Sequence, residues 1–122
     1  MKLSGAEYEI MECVWDLQRA VTSADILREV GAARGWKQPT VLTFLSRLVE
    51  KGLLATEKNG KVRSYTAAVS REAYKSAETR AFLARLYDGS VRNLVACMAD
   101  GNGISDEELR GLRAWLKERE GA

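Results

Sequence analysis

Eight residues in the middle of the chain have side chains suited to recognising a polyanion: Lys37, Thr40, Leu42, Thr43, Arg47, Lys58, Lys61 and Arg63. A guanidinium such as that of Arg47 pairs with a guanine edge or with a phosphate. Thr40 and Thr43 offer short hydroxyls to phosphates or base edges. Leu42 lies against a thymine methyl or fills a gap beside a neighbouring element. Lys37, Lys58, Lys61 and Arg63 suit backbone phosphates, contacts that give affinity and salt dependence rather than sequence reading. Each residue taken alone is equally an ordinary surface group. What singles them out is that they coincide with one helix pattern, one hairpin and one block of charge.

The block of charge is hidden by the overall balance. The 122 residues carry a formal net charge of +2. Residues 1–33 are net −3, residues 34–69 net +5 and residues 70–122 neutral. A concentrated positive segment is the electrostatic footprint of a polyanion partner. Catalysis is poorly supported. There is no histidine, so the usual general base and the commonest metal ligand are missing. There is no phosphate-binding glycine loop and no metal-ligand cluster, and the scattered carboxylates read as helix caps and surfaces. No cofactor is expected, and copper or zinc should bind only weakly. Cys13 and Cys97 read as buried apolar residues of a reduced protein. The N-terminus lacks the apolar stretch of a signal peptide, and the longest apolar run, Leu94 to Ala99, is too short to span a bilayer. A cytoplasmic protein is expected, with no membrane partner.

The positioning elements follow from periodicity. Ser4 and Glu7 have capping-box spacing. After them Tyr8, Met11, Val14 and Trp15 recur at helical spacing as a core face. A second helix is capped by Thr22 or Ser23 and carries Ile26, Leu27 and Val30, with Gly31 and Gly35 bracketing its end. A third helix, about 39–51, starts with Pro39 in its first turn. Val41, Phe44, Leu45 and Leu48 form its narrow apolar face, and Thr43, Ser46, Arg47 and Glu50 lie opposite, flanked by Pro39 and Leu42. Gly52 is placed to stop it. Leu53–Glu57 and Val62–Thr66 then read as strands around Lys58-Asn59-Gly60-Lys61, which carries the Asn-Gly hairpin signal. A hairpin directly after three short helices is the order of a winged helix-turn-helix.

From Ser70 the pattern is helical throughout. One segment runs to Tyr87, with Tyr74, Ala77, Ala81, Leu83 and Leu86 as packing residues, and Asp88-Gly89 breaks it. Ser90 caps a short helix bearing Val91, Leu94, Val95 and Met98. Ser105 and Glu108 form another capping box before Leu109, Leu112, Trp115 and Leu116. These helices are amphipathic but too few to bury their own faces. Either a second copy of the chain covers them, with Val91, Leu94, Met98, Leu112 and Trp115 in the interface, or they fold back on the N-terminal domain. The fold class is mainly α with a small β-hairpin. The expected division is a winged helix-turn-helix DNA-binding domain, 1–69, and a helical dimerisation domain, 70–122.

Leu3-Ser4-Gly5-Ala6-Glu7-Tyr8-Glu9-Ile10-Met11 followed by Trp15 resembles the first helix of the penicillinase-repressor and methicillin-resistance-regulator family. The stretch from Thr40 to Leu54 resembles that family's recognition helix running into the wing. Arg63-Ser64-Tyr65 and Val69-Ser70-Arg71-Glu72 resemble its wing return and the start of its dimerisation helices. The likeness covers essentially the whole chain. It implies a bacterial homodimeric repressor of transcription on a partly palindromic DNA operator, with Thr40, Thr43 and Arg47 as recognition-helix contacts and an upstream sensor protein of unspecified identity. Leu42 stands where the family often has lysine, a departure that bears on operator preference. Antibiotic-resistance members of the family are cleaved at an Asn-Phe bond in the C-terminal helices, where this chain reads Ala96-Cys97-Met98. Copper-responsive relatives carry Cys-x-Cys motifs near the C-terminus, where this chain has none. Two other readings stand beside the repressor: a winged-helix protein-interaction module, which the basic helix and wing argue against, and a small-molecule-responsive winged-helix regulator with a pocket at its dimer interface.

Overall fold

The Ser4–Glu7 pair starts α1 (Gly5–Leu17) in the computed structural model, which describes residues 2–121. Ser4 Oγ accepts the Glu7 N–H at 3.2 Å, and the Ser4 N–H donates to Glu7 Oε1 at 2.8 Å. Two backbone donors that a helix start leaves unpaired are thereby satisfied. The inner face of α1 buries Ile10, Met11, Val14 and Trp15, with Tyr8 half-buried beside them. Thr22 rather than Ser23 caps α2 (Ser23–Ile26), through a second reciprocal box with Asp25.

Gly31 does not end this helix. The chain continues through a π-helical turn, Leu27–Gly31, into α3 (Ala32–Arg34), and stops at Gly35 with φ +74°. Gly31 serves close approach instead. A Cβ there would stand 3.0 Å from Leu27 Cδ1 and 3.4 Å from Val41 Cγ2. Contact geometry, not helix termination, accounts for that glycine.

The next helix, α4 (Gln38–Glu50), begins one residue before Pro39 and buries Val41, Leu45 and Leu48. Phe44 is half-buried against Trp36, ring centroids 5.1 Å apart. Its end is a Schellman motif: the Gly52 N–H donates to Val49 O and the Leu53 N–H to Leu48 O, both at 3.0 Å, with Gly52 at φ +80°. That turn sends Leu53 and Leu54 back into the core.

The hairpin consists of β1 (Leu54–Asn59) and β2 (Val62–Ala67), paired antiparallel from Leu54↔Ala67 to Asn59↔Val62. The strands are longer than the sequence pattern predicts. Asn59 and Lys58 take strand positions, and the tight turn is Gly60-Lys61, with Gly60 at φ +65°. Tyr65 is buried and also bridges to Val21, exchanging backbone hydrogen bonds of 2.8 and 2.9 Å. The hairpin is thus stitched to the segment before α2 as well as to α4.

The chain divides into two compact units, Met1–Glu78 and Thr79–Ala122. The start of α5 (Arg71–Tyr87) belongs to the first. Trp15 Nε1 donates to Val69 O at 2.9 Å, Tyr74 packs on Tyr8 and Trp15, and Arg71 lies over the Trp15 ring.

The second unit contains the rest of α5, then α6 (Val91–Asp100) and α7 (Asp106–Glu120). Asp88 and Gly89 break the chain before α6 with φ +50° and +80°, and Ser90 Oγ caps Asn93 N–H. Ser105 Oγ accepts the Glu108 N–H at 3.1 Å, but this cap lacks the return bond that closes the boxes at Ser4 and Thr22. Ala77, Ala81 and Leu86 are exposed, as is Cys97, whereas Cys13 is half-buried. The expected burial of Cys97 therefore fails within one chain, because no residue of α6 is buried there. No helix among the described residues is long and apolar enough to cross a membrane.

Candidate nucleic-acid interface

Helix α4 is held from behind and open in front. Its buried stripe locks it to α1, the α2–α3 run and β1, leaving one broad face exposed. Lys37, Thr40, Leu42, Thr43 and Arg47 are all exposed, as are Lys58, Lys61 and Arg63 on the hairpin. Between α4, the start of α2 and the hairpin runs a groove of about 740 Å³, lined among others by Ser23, Leu42, Ser46, Lys61, Val62 and Arg63. The structure thus brings Leu42, Lys61 and Arg63 to one concavity. Lys37 stands at the N-cap of α4, Thr40, Thr43 and Arg47 on its exposed helical positions, and Lys58 on the outer part of β1.

Leu42 lines this groove and is still 41% exposed. It therefore packs beside the hairpin and keeps an apolar surface outward, so its two sequence readings are compatible. Thr43 is more restricted than its residue type suggests. Its hydroxyl donates to Pro39 O at 3.0 Å. The donor is spent on the helix, leaving Thr43 a methyl and acceptor lone pairs to present.

Between Arg19 and Arg71 the cations sort into two groups. Arg19 and Arg28 pair with Asp25, Arg34 with Glu9, Lys51 with Glu7 and Arg71 with Asp16. The Thr22 N–H, then Arg28 and Arg19, hold the Asp25 carboxyl well below the usual carboxylate range. These pairs brace the scaffold. Lys37, Arg47, Lys58, Lys61 and Arg63 enter none of the ion pairs among the described residues. Lys58 even stands directly across from Arg63 in the ladder. Like charges facing each other across strands are unfavourable, and an anion between them relieves the repulsion.

Ser46 and Val62 line the groove and Gln38 is exposed at the start of α4, yet sequence reasoning named none of the three as a candidate contact. Ser46 follows from the helical wheel that placed Arg47 outward. Val62 is 56% exposed beside the groove, a position that strand alternation with buried Tyr65 suggests. Gln38 had no signal, because helix α4 was read as starting at Pro39.

Helix α1, the continuous α2–α3 run and an exposed α4, followed by a hairpin that flanks it, define a winged helix-turn-helix. The sequence model of the penicillinase repressor family matches residues 3–118. The chain belongs to that family. It is 29% identical to a penicillinase repressor of Bacillus licheniformis over 96% of this chain and 91% of the relative. It is 26% identical to a methicillin resistance regulatory protein MecI of Mammaliicoccus sciuri, covering 97% and 95%. Both of these relatives are named as repressors or regulators rather than enzymes. Among solved structures, the monomeric form of Bacillus licheniformis BlaI in complex with the blaP half-operator is similar, with 30% identity and TM-score 0.51. That match covers 61% of this chain and 89% of BlaI. A MepR mutant from S. aureus shares the fold at 18% identity and TM-score 0.51, covering 98% and 78%.

Proposed function

We propose that this protein is a homodimeric transcriptional repressor that binds a partly palindromic DNA operator. Helix α4 enters the major groove, and the basic hairpin lies on the phosphate backbone as the wing. Residues 1–69 form the DNA-binding domain and residues 70–122 the dimerisation domain, and the protein acts in the cytoplasm. The observation that carries this reading is the sorting of the cations. Between Arg19 and Arg71, the cations outside the α4 face and the wing are braced by acids, whereas Lys37, Arg47, Lys58, Lys61 and Arg63 enter no ion pair among the described residues. Unpaired positive charge beside an exposed helix is what phosphate contacts require. Family membership and the BlaI half-operator complex support the same reading.

Dimerisation rests on the apolar surface. Among the described residues, six of the eight exposed large hydrophobics lie after Thr79: Phe82, Leu86, Val91, Met98, Trp115 and Leu116. The other two, Leu42 and Val62, flank the groove beside the wing. Leu94 and Leu112 are half-buried beside that surface. A second copy covers it, with Val91, Leu94, Met98, Leu112 and Trp115 in the interface. Selection of bound sequences from a random duplex pool tests the reading. Two related half-sites in inverted order are expected, and the absence of any enriched sequence overturns it.

A further inference from the structure

Gln38 takes the first helical position of α4 and is exposed. Its Nε2 donates to Ser23 Oγ at 2.6 Å. Ser23 opens α2 and lines the groove beside the wing. The leading side chain of α4 is thus held by a second helix before any ligand arrives. A primary amide has two N–H donors and one carbonyl acceptor. With one N–H on Ser23, the other N–H and Oε1 have no partner among the described residues. They leave a donor and an acceptor side by side on one edge.

That edge matches the adenine N7 acceptor and N6 donor, which only the major groove presents. Helix-turn-helix proteins bring the N-terminal residues of the recognition helix to base edges. A phosphate needs donors alone, and Lys37 already supplies charge one residue earlier. Fixing the amide in advance lowers the ordering cost of a base contact and gives it direction. We propose that Gln38 reads an A·T pair in each half-site and that Ser23 is its positioning residue. This assignment rests on α4 being the recognition helix.

The test compares selections from a random duplex pool by the full-length wild type, Gln38→Ala, Gln38→Glu and Ser23→Ala. Titrations follow on the wild type's best duplex and on one with the relevant A·T pair changed to G·C. Gln38→Ala should erase the preference at one pair per half-site, a loss of roughly 5- to 150-fold in discrimination. Its other positions and its salt slope should be unchanged. Gln38→Glu should move the preference at that pair from adenine toward cytosine, whose N4 donor a carboxylate accepts. Ser23→Ala should weaken the preference at the same pair only. A wild-type motif left intact by all three variants, or affinity lost alike on every duplex, overturns the assignment while α4 remains the reader. A wild type that enriches no motif overturns the repressor reading and this assignment together.

Discussion

Lys51 Nζ lies 2.7 Å from Glu7 Oε1, tying the C-cap of α4 to the first turn of α1. Glu7 is buried, and Lys51 is the only part of this pair that reaches water. Burial pushes the Glu7 carboxyl up, but bonds to Lys51 and Ser4 outweigh it and hold it below its ordinary value. Oε1 takes both the Lys51 and the Ser4 bonds, while Oε2 is buried without a partner. The pair therefore acts as a clamp on the far end of the exposed helix.

Glu7→Gln should lower stability by about 1–3 kcal/mol, the usual cost of disrupting a buried charged hydrogen bond. Urea unfolding at pH 7 measures it. An unchanged midpoint contradicts the clamp.

Asp25 gives a pH signature. Its carboxyl caps α2 and holds Arg19 and Arg28, and its folded-state pKa lies well below the ordinary value. A depressed carboxylate contributes stability above its unfolded pKa, about 3.9, and loses it as pH falls toward the folded value. Asp25→Asn should thus be less stable than the wild type at pH 7, by about 1 kcal/mol for a weakened cap. The gap should narrow below about pH 4. Midpoints across pH 7 to 3 check this, and a gap that widens on acidification contradicts it.

The junction into α5 holds a partly buried bond and an exposed one. Trp15 Nε1 donates to Val69 O, whereas Arg71 pairs at the surface with Asp16 at 2.6 Å. Trp15→Phe strands that carbonyl and trims a buried ring, and should cost about 1–3 kcal/mol. Arg71→Ala should cost less than Trp15→Phe, as the loss of an exposed pair does. Thermal unfolding of the two variants should therefore rank Trp15→Phe as the less stable.

Assembly is tested by sedimentation at micromolar concentration. The wild type should be a dimer, and Val91→Asp/Trp115→Asp should be a monomer that keeps its helical circular dichroism. Burying large apolar side chains contributes roughly 1.5–3 kcal/mol each, so two buried charges suffice to disrupt the contact. A monomeric wild type contradicts the proposed interface.

Local chemistry made much of the fold legible. The Ser4–Glu7 box, Pro39 in the first turn of α4, the Gly52 stop and the outward placement of Arg47 each depend on a few adjacent residues, and each is present. Long-range geometry was not legible. The role of Gly31 depends on the packing of Val41 and Leu27, and the Val21–Tyr65 bridge joins residues far apart in sequence. The Gln38–Ser23 bond depends on two helices meeting. The hydroxyl of Thr43 turned inward because a helix carbonyl four residues earlier was within reach.

The most direct test of α4 and the wing as a DNA reader is a titration series. Wild type, Arg47→Ala and Lys61→Ala are bound to the selected duplex and to a scrambled one at several salt concentrations. Lys61 sits in the hairpin turn and Arg47 on the exposed face of α4. Lys61→Ala should weaken binding to both duplexes alike and make the salt slope shallower by about one phosphate's worth. Arg47→Ala should cost roughly 1–3 kcal/mol more on the selected duplex if it pairs with guanine, and should match Lys61→Ala if it holds a phosphate. Unchanged affinity of both variants for both duplexes contradicts docking through α4 and the wing.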